Sequence, residues 1–146
     1  MRTVRPLNDR HTCLVVLLFP LLVAGCGPNV SLKGRVSYSD DGKPVTQGTL
    51  YFVSGTHTSR APLQRDGTFV VGSLKSNDGL PPGKYIVALQ ESSSIIGSTE
   101  MGDPIYKRLV DVKHENERTS GLTVEVPAPK GFIDFIVDRH PSKKQE

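Results

Sequence analysis

The chain has 146 residues, with 18 basic and 15 acidic side chains, 36% hydrophobic residues and no Trp. That length suits one domain, and that hydrophobic share excludes a polytopic membrane protein. Gly (14) and Pro (11) are too abundant for a helical bundle and too sparse for a collagenous or disordered chain, while two cysteines exclude a disulfide-dense scaffold.

Three arginines, Arg2, Arg5 and Arg10, precede an eleven-residue apolar run, Leu14 to Ala24. A helix needs about 20 apolar residues to cross a bilayer, whereas runs of about 10–14 fit the core of a secretory signal. Pro20 inside the run also disfavours a permanent transmembrane helix. The segment ends Leu22-Val23-Ala24-Gly25-Cys26-Gly27. This resembles the lipobox of bacterial lipoproteins, in which small residues precede a cysteine. The resemblance implies cleavage between Gly25 and Cys26, with lipid on both the sulfur and the new amine of Cys26. Two acyl chains suffice for stable anchoring, at about 0.8 kcal/mol per buried methylene. The expected location is the cell membrane or outer membrane, with the domain facing the periplasm or exterior.

Residues 1–25 hold three of the 18 basic residues and one of the 15 acidic ones, so the mature chain carries 15 and 14, a net of +1. It has no basic stripe, so nucleic acid is not an expected partner. Cys13 lies in the signal, which leaves Cys26 without a disulfide partner. Residues 26–29 are expected to be a lipidated N-terminus and short tether, which places the domain close to the membrane.

The remainder reads as strands. From Val30 to Tyr38, Val30, Leu32, Val36 and Tyr38 share one face and Ser31, Lys33, Arg35 and Ser37 the other. Gly34 falls on the apolar face, where a missing side chain signals a bulge or a close approach. Asp40-Asp41-Gly42-Lys43-Pro44 is a turn. A second strand covers Thr49 to Ser54, with Leu50 and Phe52 opposite Tyr51 and Val53. A polar stretch, Gly55 to Arg60, precedes a weak strand over Ala61 to Gln64. The Asp66-Gly67 turn leads into Thr68 to Val71. The loop Asn77 to Gly83 launches Lys84 to Leu89, rich in strand formers.

Glu91 to Thr119 is expected to be a long irregular stretch, with a short helix or strand in its middle, Ile105 to Val112. Its mixed-charge run supplies a candidate binding loop, Lys113, His114 and Arg118. Leu122 to Val126 then alternates regularly, and Phe132 to Val137 makes the last strand with Ile133, Phe135 and Val137 inward. Asp138 to Glu146 is polar and basic and is expected to fray. No segment keeps a 3.6-residue apolar period. The expected architecture is all-β, an antiparallel seven-stranded β-sandwich over residues 30–138, with a polar basic tail over 139–146.

Six pieces stand in order: Gly34-x-Val36-x-Tyr38, Asp41-Gly42-Lys43-Pro44-Val45, Gly48-x-Leu50-x-Phe52, Asp66-Gly67-x-Phe69, Leu80-Pro81-Pro82-Gly83-Lys84-Tyr85 and Thr119-Ser120-Gly121-Leu122. Together they resemble small bacterial lipoproteins built from a carboxypeptidase regulatory-like domain with a transthyretin-like (prealbumin-like) sandwich. The resemblance covers Val30 to Val137 and departs from the pattern at Lys113-His114, where the family often has Lys-Tyr. It implies a fold and no catalytic residue, since the zinc chemistry of the parent carboxypeptidases belongs to another domain.

The residues themselves point the same way. His57, His114 and His140 lack metal-ligand spacing and are expected on surface loops. Asp40-Asp41-Gly42 lacks the alternating oxygens of a calcium loop. Neither a Gly-x-Ser-x-Gly elbow nor a phosphate-binding loop is present. Arg139, His140, Lys143 and Lys144 are too dispersed to form a lipid-binding cluster. No enzyme activity, cofactor or metal is expected. The expected role is an envelope structural or protein-binding module whose contacts lie on the 91–119 stretch or an unpaired sheet edge. A glycan- or small-ligand-binding module is the alternative, with Tyr51, Tyr106 and Phe132 as the aromatic candidates. A transthyretin-like hydrolase is a remote one.

Overall fold

The computed structural model describes residues 28–55, 57–72, 78–129 and 131–141. Gly25, Cys26 and the expected signal lie outside them. Among the described residues there are nine strands: β1 (Lys33–Tyr38), β2 (Thr49–Ser54), β3 (His57–Pro62), β4 (Thr68–Val70), β5 (Gly83–Gln90), β6 (Ser93–Ser98), β7 (Pro104–Arg108), β8 (Leu122–Val126) and β9 (Phe132–Val137). A 3₁₀ turn spans Val112–Glu115.

Two sheets face each other. The first has the order β4-β1-β9 and the second β3-β2-β5-β8; β6 and β7 form a separate two-stranded sheet. The all-β expectation holds. The expectation that every strand pairs antiparallel does not, because β1 and β9 run parallel from Lys33↔Phe132 to Tyr38↔Val137. Local alternation determines which face of a strand is buried. It carries no information on which distant strand lies alongside.

The core is built from the inward residues of both sheets, among them Leu32, Val36, Leu50, Phe52, Phe69, Val87, Leu89, Phe135 and Val137. Phe52 of the second sheet meets Phe69 and Phe135 of the first at ring-centroid distances of 6.0 and 6.3 Å, and Phe69 stacks on Phe135 at 5.9 Å. These separations suit offset or tilted aromatic pairs. Gly34 sits where β1 and β9 press together. A Cβ there would lie 2.0 Å from the Ile133 carbonyl oxygen and 2.7 Å from Phe69 Cζ. Of the bulge and the close approach that the sequence left open at Gly34, the structure shows the close approach.

β3 begins at His57, earlier than the expected Ala61, and takes in the polar stretch. Its inward residues are Ser59 and Ala61, small side chains that buried alternation still orders. The Asp66-Gly67 turn carries the chain between sheets, since β4 pairs with β1. Gly67 has φ +77°, and the Asp66 carboxylate accepts from the Thr68 amide at 3.0 Å. A bridge between Arg60 and Gly72 joins the sheets on the β3/β4 side. The Pro81-Pro82-Gly83-Lys84-Tyr85 segment folds back on itself, with the Tyr85 hydroxyl donating to the Pro81 carbonyl at 2.8 Å.

The chain enters at the end of the sandwich where Val30 bridges to Leu80. β5 starts beside that end and finishes at Gln90, opposite Thr49, at the other. Residues Glu91–Thr119 and Asp138–Pro141 gather at this far end. Asp138 and His140 do not fray: Asp111 N donates to the Asp138 carbonyl (2.8 Å) and His140 N to that of Leu109 (3.2 Å). The Arg139 guanidinium lies 3.6 Å over the Tyr38 ring and pairs with Asp40 (2.9 Å) and Asp41 (3.0 Å). Lys143 and Lys144 lie outside the described residues.

Candidate functional site

The stretch Glu91–Thr119 is more ordered than its composition predicts. Asp111 caps the 3₁₀ turn, its side chain accepting from the Lys113 amide at 2.9 Å. The turn aims His114 inward, so the histidine expected at the surface is only 4% exposed. Its Nε2 accepts from the Asp138 amide at 3.0 Å. The ring proton therefore belongs on Nδ1, which donates to the Ser120 carbonyl at 3.1 Å. His114 thus ties the end of β9 to the approach to β8. A neutral ring with both nitrogens bonded to backbone is a structural clasp, with no lone pair left for a metal or a proton transfer.

Lys113, half-exposed, pairs with the carboxylate of the same Asp138. Asp138 also accepts from the Ser39 hydroxyl. The hydrogen bond from Lys113, then that from Ser39, holds the Asp138 carboxyl down at about 2, and the same pairing raises Lys113. Arg118 is exposed, its backbone amide held by Asn116 Oδ1 at 2.9 Å. The three residues expected to form a binding loop therefore separate into one ion-paired lysine, one buried ring and one exposed arginine.

The feature that the sequence reading half anticipated is β6–β7: a short helix or strand was expected over Ile105 to Val112, where β7 lies, and β6 was not expected. These strands pair from Ser93↔Arg108 to Ser98↔Pro104, with a register shift between Ile95 and Gly97. Thr99–Asp103 closes the tip: Thr99 N donates to the Asp103 carbonyl (2.8 Å) and Gly102, at φ +89°, to that of Thr99 (2.9 Å). The root is tied down. Leu109 N donates to the Ser92 carbonyl (2.9 Å), Ser92 Oγ to the Gln47 carbonyl (2.9 Å), and Arg108 pairs with Glu115 (3.4 Å). Glu91, in a left-handed conformation at φ 57°, turns the chain out of the β5 direction.

Beyond that root the hairpin leaves the body, and neither face of it is covered. Ile95 is 64% exposed, Ile96 60%, Met101 93%, Ile105 42% and Tyr106 62%. Large apolar side chains grouped this way are unusual on a free surface and mark interaction sites. Ile95-Ile96 in an uncharged run and Ile105-Tyr106 nine residues beyond Ile96 were the signal available. Without a buried face to impose a period, β6 read as loop and Ile105 to Val112 as helix or strand alike.

Two shallow depressions lie on the described surface, one of them at the hairpin root. One, of about 570 Å³, lies on the outer face of the second sheet, floored by Val53, Ile86 and Thr123 and flanked by Lys84 and Glu125. The other, of about 390 Å³, lies at the hairpin root between Gln90, Glu91, Arg108 and Glu115. Neither sets a nucleophile beside a base. His57 Nε2 and Ser59 Oγ are 2.9 Å apart, but Ser59 is buried on the core side of β3, out of reach of a substrate. Among the described residues, no three Asp, Glu, His or Cys side chains gather as a metal site would require. The arrangement can dock a partner through exposed apolar and backbone groups.

No protein-family model matches the chain, and no curated protein matches it. Among solved structures, a 9R-lipoxygenase from Cyanothece PCC8801 aligns at a TM-score of 0.37 and 14% identity over 86% of this chain. The chain spans 19% of that lipoxygenase's length, and a likeness this distant carries no argument about fold family or function.

Proposed function

We propose that the protein is a lipid-anchored, extracytoplasmic, non-catalytic β-sandwich that binds a protein partner through its β6–β7 hairpin. The observation that carries the binding role is the uncovered apolar hairpin on a firmly tied root. The anchoring rests on the sequence Leu22 to Cys26, and the domain type on the six ordered motifs that resemble carboxypeptidase regulatory-like, transthyretin-like sandwiches.

Chain geometry supports this orientation. Cys26 precedes Val30 by four residues, a reach of at most about 14 Å, so a lipidated cysteine would hold the entry end of the sandwich at the membrane. The eight residues of β5 span roughly 26 Å, and the hairpin root lies at the opposite end. The hairpin would face away from its own leaflet, towards other proteins.

The test is cell fractionation with mass spectrometry of the mature N-terminus. The wild type is expected in the membrane fraction, beginning at Cys26 with acyl mass on that residue. Cys26→Ser is expected in the soluble fraction or as the uncleaved precursor. A mature chain recovered in the soluble extract with a free Cys26 thiol overturns the anchoring.

A further inference from the structure

We infer that the hairpin's partner is a basic, amphipathic helix of another protein, laid along one face of β6–β7 with a cation in the pocket at the root; this rests on the reading of the hairpin as the docking surface.

Both edges of the hairpin are guarded against an added strand. β7 reads Pro-Ile-Tyr-Lys-Arg. Its proline lacks an amide donor, and its two cations are a usual protection of a free edge. β6 carries no charge, but its ladder with β7 slips at Ile96, which has no residue opposite it. Such a bulge bends the strand and twists its edge away from a newcomer. A partner is therefore met through side chains, and a helix docks through side chains alone.

The register decides which face is met. Alternation puts Pro104, Tyr106 and Arg108 on one face of β7 and Ile105 and Lys107 on the other. Ile95 lies opposite Tyr106, and the bulge sets Ile96 beside it. The first face thus groups three large apolar side chains, each 60% or more exposed.

Charge sets the chemistry of the partner. At the foot of that face the Ser93–Arg108 pair lines the root pocket, where Glu91 and Glu115 bring two carboxylates against the one guanidinium of Arg108. Glu100 and Asp103 lie at the tip. The surface is apolar in its middle and acidic at both ends, which a helix with an apolar stripe and a Lys or Arg near each end complements. The six residues of β6 span roughly 20 Å, the length of about 13 helical residues. Arg108 and Tyr106 are two strand residues apart, about 7 Å, so the cation at the root belongs about three or four residues from an apolar side chain on the partner helix.

The experiment places a photoreactive phenylalanine analogue at Tyr106 of the full chain, irradiates intact cells and sequences the captured peptide by mass spectrometry. The expected capture is a segment of another protein with a helical apolar stripe and a Lys or Arg about three or four residues from the attachment point. Glu91→Lys sets cation against cation and should cut the adduct about tenfold, and Glu91→Gln should cut it about threefold. Replacing the captured segment's cation with Glu should restore the adduct of the Glu91→Lys chain. Glu91 is exposed, so both variants should unfold in urea at the wild-type midpoint; if Glu91→Lys does not, Glu91→Gln alone carries the comparison. A captured segment that is acidic, that alternates as a strand or that comes from a second copy of this chain overturns the basic helix and keeps the hairpin as the docking site. An adduct indifferent to both Glu91 variants does the same. Adducts with lipid alone, or none, overturn both readings.

Discussion

Replacing Gly34 with alanine tests the packing of the first sheet directly. The added methyl would sit 2.0 Å from the Ile133 carbonyl oxygen and 2.7 Å from Phe69 Cζ. A carbon–oxygen contact relaxes only near 3.3 Å, so β1 and β9 must part by more than about 1 Å. Ile133 lies directly opposite Gly34 in the parallel ladder, and Phe69 belongs to the aromatic trio at the centre. The separation therefore strains backbone pairing and core at the same point. Overpacking alone costs about 1–3 kcal/mol, and each ladder hydrogen bond lost adds about 1 kcal/mol. With about two such bonds lost, the sum of about 3–5 kcal/mol is a large share of a small domain's total stability. Urea unfolding followed by far-ultraviolet circular dichroism should show the unfolding free energy falling by that amount, as a lower midpoint at unchanged slope. Gly97→Ala is the control, because its nearest neighbour, Ile105 Cδ1, is 4.0 Å away; it should change stability by less than about 1 kcal/mol. Equal effects of the two substitutions would refute the close β1–β9 approach.

Other expectations follow from burial and charge. Val124→Asp, which puts an unpaired carboxylate into the core cluster, should lower stability by about 3 kcal/mol or more. Glu125→Lys, exposed and opposite Lys84, should cost under about 1 kcal/mol; similar unfolding midpoints for the two would put the wrong face of β8 inward. His114→Leu strips the Asp138 amide and the Ser120 carbonyl of their partner, and calorimetry should register a loss of about 2–4 kcal/mol. Asp138, whose carboxyl is lowered from 3.8 to about 2 mainly by Lys113, favours the folded state above about pH 4, and that contribution disappears as pH falls towards 2. Asp138→Asn should flatten the acid side of the stability curve over that window, and an unaltered acid limb would discount the Lys113 pairing.

What the sequence disclosed depended on whether burial had imprinted a period on it. β2, β8 and β9 set large apolar residues inward at alternate positions, as β1 does apart from Gly34, and their faces were legible. β3 alternates too, but with Ser59 and Ala61 inward, so its first half passed for polar loop. β6 and β7 bury almost nothing, so no alternation was imposed on them. His114 was hidden by its charged neighbours, because a four-residue turn places only one side chain inward and leaves the rest in water. The parallel β1–β9 pairing was beyond reach, since it joins segments about a hundred residues apart. The six motifs named turns and the starts of strands and were silent on the hairpin.

The parallel neighbour of β1 is the last strand of the fold, and its other neighbour, β4, is only three residues long. A chain delivered amino-terminus first would therefore leave its opening strand waiting, half-paired, until nearly everything behind it had arrived. Such long-range closure slows folding. It also leaves Leu32 and Val36 uncovered for the whole interval, when exposed apolar surface is most open to aggregation.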